Sequence, residues 1–262
     1  MVKFGAFLIC AVLLGAAPTQ STAVFRGGRI IGGEIARAGQ FPFAAAIYKN
    51  TADGTYFCTG TIIMDDFILT SGQCVDGAIL FSILIGTNNL NANEGTRLST
   101  DTYFQHPGYN PETLENDLGI IKTRLPITFT DYIQPVNFLA DFRLPDGSSV
   151  FTLGWGQTSD EESGLVNALN YVVVVSLTLE DCMLTYGSQV TDNMVCVEGN
   201  YNQGTCRGDL GSPLIQYGSR GVTYLVGVSS FISSNGCEST DPSGFTRISP
   251  YRDWIRNITS NN

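Results

Sequence analysis

Histidine is almost missing from this 262-residue chain, which has one, His106. With no CxxC pair either, the usual zinc-ligand spacings are absent. Basic residues are scarce as well, 14 Lys and Arg against 24 Asp and Glu. Three of the 14, Lys3, Arg26 and Arg29, precede Ile30, so 11 remain against 24 acids and the chain from Ile30 onward carries a net −13. Such a surface repels nucleic acid and anionic lipid, and partners chosen by charge are neutral or basic. No apolar run reaches the roughly 20 residues needed to cross a bilayer. Between Ile30 and Ile258 there is no internal repeat, Pro-rich linker or low-complexity tract.

The longest apolar run, from Phe4 to about Ala17, follows the single charge Lys3 and leads into the small residues Ser21 and Ala23. That pattern predicts a signal peptide over 1–23 and a secreted, extracellular product. Seven cysteines become six once Cys10 leaves with it: Cys58, Cys74, Cys182, Cys196, Cys206 and Cys237. An even count in a secreted chain points to three disulfides. At 43% apolar residues, the chain can bury one large core or two coupled ones.

Short β-branched and aromatic runs recur between Gly, Asn and Asp turns: FAAAIY (43–48), TGTIIM (59–64), FSILIG (81–86), LGIIKT (118–123), YVVVVSL (171–177) and TYLVGVSSF (223–231). This spacing predicts an all-β sandwich or barrel. Two segments, SLTLEDCMLTYG (176–187) and SPYRDWIRNI (249–258), open with Ser or Thr and read as helices.

From Arg29 the chain runs through RIIGGEIA, CTGTIIMDDFILTSGQC, NDLGIIK, LGWG, GTCRGDLGSPLI, SFISSNGC and PSGFTRISPYRDWI. In order and spacing these blocks resemble the chymotrypsin/trypsin-like serine protease family. The resemblance implies an all-β fold of two six-stranded antiparallel barrels with a C-terminal helix, spanning 30–262. It also implies the pairings Cys58–Cys74, Cys182–Cys196 and Cys206–Cys237, and no cofactor.

Such enzymes use a Ser nucleophile, a His that takes its proton and a buried Asp that orients the His. The Asp position is filled by Asp117 of NDLGIIK. The His position, before the second cysteine of the first pair, holds Gln73, and the nucleophile position holds Leu210. Leucine cannot attack a carbonyl, and a glutamine amide does not accept a proton near neutral pH. Losing such groups costs on the order of 10⁶ in turnover. The expected activity is therefore none. Ser212 and Ser71 are the alternative nucleophiles, for a weakly active endopeptidase. Leu210 either covers the vacated cleft or forms part of a binding patch.

The base of the specificity pocket falls at Gly204, so no Asp selects a basic side chain. The pocket wall reads Ser230-Phe231-Ile232, and Ile232, where the family has glycine, is expected to narrow the pocket. Arg29-Ile30 looks like an intact activation site with 24–29 as a short propeptide, and the resemblance implies that the freed α-amino group pairs with Asp209. Asn257-Ile258-Thr259 is the sole glycosylation triplet. The loop NNLNANEG (88–95) has only Glu94 as an acid, and no bound metal is expected there. These readings converge on a secreted, inactive protease homologue that binds a protein partner: a protease, a protease inhibitor or a recognition target. A bulk secretory protein without a specific partner is the remaining alternative.

Overall fold

The computed structural model describes Met1 and residues 33–139, 143–161, 163–199 and 204–262. The expected signal peptide and propeptide, with Arg29 and Ile30, lie outside the described residues. The first sheet is built from β2 (Ala44–Thr51), β3 (Gly54–Ile62), β4 (Phe67–Thr70), β5 (Leu80–Ile85), β6 (Thr96–Thr100), β7 (Tyr103–Gln105) and β8 (Gly119–Lys122). The second contains β1 (Glu34–Ile35), β9 (Ser149–Gly154), β10 (Asn170–Val175), β11 (Met194–Val197), β12 (Pro213–Tyr217), β13 (Thr223–Phe231) and β14 (Ser243–Arg247). Within each sheet every strand pairing is antiparallel.

Each sheet therefore has seven strands where six were expected, and the extra strand has a different origin in each. In the first, ordered β6-β5-β2-β3-β4-β8-β7, the chain neighbours β6 and β7 occupy opposite edges. Only Asp101 and Thr102 separate them, so they are two halves of one bent strand that brings the edges together. Lys122 N donates to Thr102 O at 3.0 Å across that closure. In the second, ordered β1-β10-β9-β12-β13-β14-β11, Leu177 N bonds Cys196 O and Glu198 N bonds Val175 O, both at 2.9 Å, joining β10 to β11. Six strands close this barrel, and β1 is a two-residue arm added outside β10 with Glu34 opposite Tyr171.

Alternation builds the two cores, because successive strand residues face opposite sides. Along β10, Val172 and Val174 are buried while Val173 is 44% exposed. Ile47, Ile62, Ile68, Phe81 and Ile83 share one face of the first sheet and fill its barrel, and Val150, Val172, Leu214 and Phe245 fill the second. Trp155, just after β9, is fully buried and donates from Nε1 to Asn88 O of the first half at 3.1 Å. The three expected disulfides are present, with Cα separations of 6.1, 6.1 and 5.1 Å in chain order.

The two helices are displaced slightly from their sequence expectations. α1 (Leu179–Tyr186) starts after Thr178, whose Oγ1 accepts from Asp181 N at 3.0 Å as an N-cap. Ser176, the expected opener, is instead bridged to Val197 in the barrel closure. α2 (Arg252–Asn261) follows a 3₁₀ turn over Ser249–Tyr251 and runs past Ile258.

Candidate active site

Gln73 sits in the tight turn after β4, where Cys74 N bonds Ser71 O at 3.1 Å and Asp76 N bonds Gly72 O at 3.0 Å. The Cys58–Cys74 disulfide anchors this turn to β3. Lys49 of β2 anchors it a second time, with Nζ donating to Gln73 O at 2.9 Å and Asp76 O at 3.1 Å. Nothing in the sequence pattern marked Lys49. Burial lowers its pKa, opposed by the charge of Asp76.

Asp117 enters from the residue before Leu118 and β8, after a left-handed Asn116 at φ 54°, and is fully buried. Its carboxylate accepts from Gln73 N at 2.9 Å, Gln73 Nε2 at 2.7 Å and Ser230 Oγ at 2.6 Å. Burial raises its pKa, and the donors from Ser230, Gln73 and Gly72 pull it back down. Gln73 Nε2 also donates to Ser230 O at 2.8 Å. The approach is close at Gly72, where a Cβ would lie 3.0 Å from both Asp117 Oδ1 and the Tyr109 ring. Tyr109 is pushed up to about 12 by burial, with the charges of Asp117 and Asp76 adding to it.

The turn GDLGSP crosses between the barrels. Leu210 O accepts from Thr59 N at 2.9 Å, Gly211 N donates to Ser229 O at 2.9 Å, and Ser229 N donates to Ser212 O at 2.8 Å. Gly211 has φ 81°, and a Cβ there would meet Thr70 Oγ1 at 2.1 Å and Thr59 O at 2.2 Å. Leu210 is half-buried and packs on the first core. Asp209 is fully buried and accepts from Cys206 N and Gly156 N, each at 2.9 Å. Among the described residues no cation pairs with it, and burial raises its pKa to about 7 against those two backbone donors.

Gly204 stands beside the Cys206–Cys237 disulfide, with its missing Cβ 4.0 Å from Cys237 O. Ser230 is committed to Asp117 and Gln73, a role the sequence reading of a pocket wall did not foresee. Phe231 stands edge-on to Tyr186, with ring centroids 5.1 Å apart, and lies over Gly244, where a Cβ would collide with its ring. Ile232 is half-buried against the Cys206–Cys237 disulfide. Asp160 holds this loop from outside, accepting from Cys237 N at 2.9 Å and Glu238 N at 3.1 Å.

The family model described as Trypsin matches residues 30–255. The chain belongs to the trypsin family. Trypsin-family relatives include brachyurin of Leptuca pugilator, 36% identical over 88% of this chain and 98% of its own. Chymotrypsin-like elastase family member 1 of Felis catus is 30% identical over 98% of this chain and 99% of its own. Serine protease SP24D of Anopheles gambiae is 30% identical over 88% of this chain and 82% of its own. Among solved structures, HL collagenase superposes with a TM-score of 0.80 at 28% identity, covering 89% of this chain and all of the other.

Within this trypsin-family frame hydrogen bonds join Gln73, Asp117 and Ser230, Leu210 lies on the GDLGSP turn against the first core, and the other residues singled out in the sequence take separate places. Ser71 and Ser212, the alternative nucleophiles, are both fully buried, and their hydroxyls cannot meet an incoming peptide. His106 holds its ring between Tyr251 and Trp254, centroids 5.2 and 4.9 Å away, and its Nδ1 accepts from Gly108 N at 3.2 Å. Asn257 is exposed on α2, accepting from Asn261 Nδ2 on both its backbone and side-chain oxygens. Glu94 is the one carboxylate on the wall of a cavity of about 280 Å³ shared with Phe41, Asn88 and Tyr132.

Proposed function

We propose that this trypsin-family chain is secreted, has given up peptide hydrolysis, and works by binding another protein as a cofactor, decoy or regulator of proteolysis. The observation that carries this reading is the Gln73 amide, placed where the family's base stands and donating to both Asp117 and Ser230. A group that donates to the orienting carboxylate without being able to take a proton keeps the geometry of a triad and removes its chemistry. Leu210 removes the nucleophile as well. With Ile232 in place of glycine and Gly204 at the pocket base, capture of a basic side chain is lost alongside the reaction.

In this reading, cleavage after Arg29 frees the amino group of Ile30 to pair with Asp209, whose buried carboxylate has only backbone donors among the described residues. The acidic net charge directs the protein toward neutral or basic partners and away from nucleic acid and membranes. No cofactor or metal is assigned.

The test uses protein prepared with Ile30 as its first residue, exposed to a fluorophosphonate probe and to peptide substrates, beside a variant carrying Gln73→His and Leu210→Ser. The natural chain is expected to take no label and the double variant to gain it. Stoichiometric labelling of the natural chain would overturn the reading. Affinity capture with chains cut and uncut at Arg29 then identifies the partner and shows whether the cleavage controls it.

A further inference from the structure

The chain contains a single Asn-Gly step, Asn235-Gly236. It lies in the turn Ser233–Gly236, closed by Gly236 N donating to Ser233 O at 3.2 Å. Asn235 is exposed, its N–H is held by Ser233 Oγ at 3.0 Å, and its Nδ2 donates to Asp241 Oδ2 at 2.8 Å. Gly236 has φ 101°, and a Cβ on it would lie 2.2 Å from Asp160 Oδ2, so the position takes only glycine. The nitrogen next to the Asn235 side chain is therefore screened by no side chain of its own and restrained by one long turn hydrogen bond.

We infer that Asn235 is a site of spontaneous self-modification. The Gly236 nitrogen attacks Cγ of Asn235, the N–Cγ bond forms, and the Cγ–Nδ2 bond breaks. Nδ2 leaves as ammonia, taking the Gly236 proton and leaving a five-membered succinimide. Water then opens either imide C–N bond, giving aspartate or isoaspartate at 235. No redox change occurs, and water is the only co-reactant.

The consequence follows from the partners already in place. Asp241 Oδ2 accepts from Ser233 Oγ at 2.6 Å as well as from Asn235, so the product sets a carboxylate against a carboxylate where an amide donor stood. The same loop holds Asp160 and Glu238, with Glu238 Oε2 already accepting from Asp160 N at 2.9 Å. Like charges this close repel. The loop that carries Ile232 against the Cys206–Cys237 disulfide loosens while the disulfide keeps it tethered, and the charge of the surface around it changes irreversibly with time. The modification itself does not depend on the binding reading.

The full secreted protein is held at mildly alkaline pH, sampled over time, digested and read by mass spectrometry with isoaspartyl detection. Conversion at Asn235 is expected to be several-fold faster than at Asn91, which is exposed and followed by Ala92 in the same sample. The Asn235→Gln variant, which keeps an amide beside Asp241, is expected to lose the signal. The Asn235→Asp variant is expected to raise amide exchange across 235–241 above the natural chain. A rate at Asn235 no faster than at Asn91 overturns the site, and unchanged exchange in Asn235→Asp overturns its effect on the loop.

Discussion

Gln73 Nε2 lies 2.7 Å from Asp117 Oδ2 and donates to it, and the same nitrogen reaches Ser230 O of the second barrel at 2.8 Å. One uncharged amide thus joins the turn after β4, the buried carboxylate before β8 and the end of β13. Asp117 O is itself held by Thr246 Oγ1 of β14 at 3.1 Å, so both barrels grip the same residue.

Replacing Gln73 by Leu should cost about 1–3 kcal/mol of stability, because a buried carboxylate loses a donor and Ser230 O loses a partner. The Gln73→His variant, which restores a ring N–H toward Asp117, should lose less. Urea unfolding of the three proteins measures the difference. Equal stability in all of them would mean that Gln73 is a passive occupant.

Gly211 and Gly147 separate backbone strain from steric conflict. Both have positive φ, 81° and 72°, but nothing lies within 4 Å of a Cβ at Gly147. Gly147→Ala should cost about 1 kcal/mol from the left-handed backbone alone. Gly211→Ala, with Thr70 Oγ1 and Thr59 O in the way, should cost more than about 4 kcal/mol or prevent folding. Thermal melts of the two variants give the comparison, and similar values would contradict the packing at the GDLGSP turn.

Asp209 makes a pH prediction whose sign is fixed by its raised pKa of about 7. Between the ordinary carboxylate range near 4 and pH about 7, the folded state holds a proton that the unfolded state has released. Stability of the chain uncut at Arg29 should therefore fall as pH rises through that window. Asp209→Asn should remove this part of the slope, and a cut chain that supplies an ammonium partner should show less of it. Denaturation midpoints across the window test this, and an unchanged slope in Asp209→Asn would refute it.

His106 is the only imidazole, so its ring C–H signals titrate in proton NMR without overlap from another histidine. Burial lowers its pKa below the ordinary value near 6.5, and it is the folded state that resists protonation. Its contribution to stability is present above that range and is lost as pH falls below it, the opposite slope to Asp209. The Asp209→Asn background shows the His106 slope without the contribution of Asp209. A midpoint above 6.5 would mean that the Tyr251 and Trp254 packing is not maintained in solution.

The barrels were legible because strand signals are local. FSILIG and TYLVGVSSF alternate or run apolar between turn residues, and TYLVGVSSF matches β13 over Thr223–Phe231. β4, FILT, and β7, YFQ, are too short to stand out from their surroundings, and they become strands through their neighbours, β4 between β3 and β8 and β7 along β8. The six-strand expectation per barrel came from resemblance, while the break at Asp101–Thr102 and the β1 arm are settled by pairing across the chain. Gln73, Asp117 and Leu210 were found by matching TSGQC, NDLGIIK and GDLGSP to the family's blocks. Lys49 was not, because an alternating strand lysine carries no mark of the two carbonyls 24 and 27 residues away that it binds.

The sequence by itself determined which atoms exist at the site: an amide at 73, an isobutyl group at 210, a carboxylate at 117 and six cysteines to staple the frame. Those are covalent facts, and no fold changes what a leucine side chain can attack. Only the tertiary structure decided what the survivors do. It turned the Gln73 amide into a junction between barrels, spent Ser230 on Asp117, and buried Ser71 and Ser212 beyond reach of a substrate. Hydrogen bonding and burial are relations between residues far apart in the chain, and they take their values only once both barrels have closed.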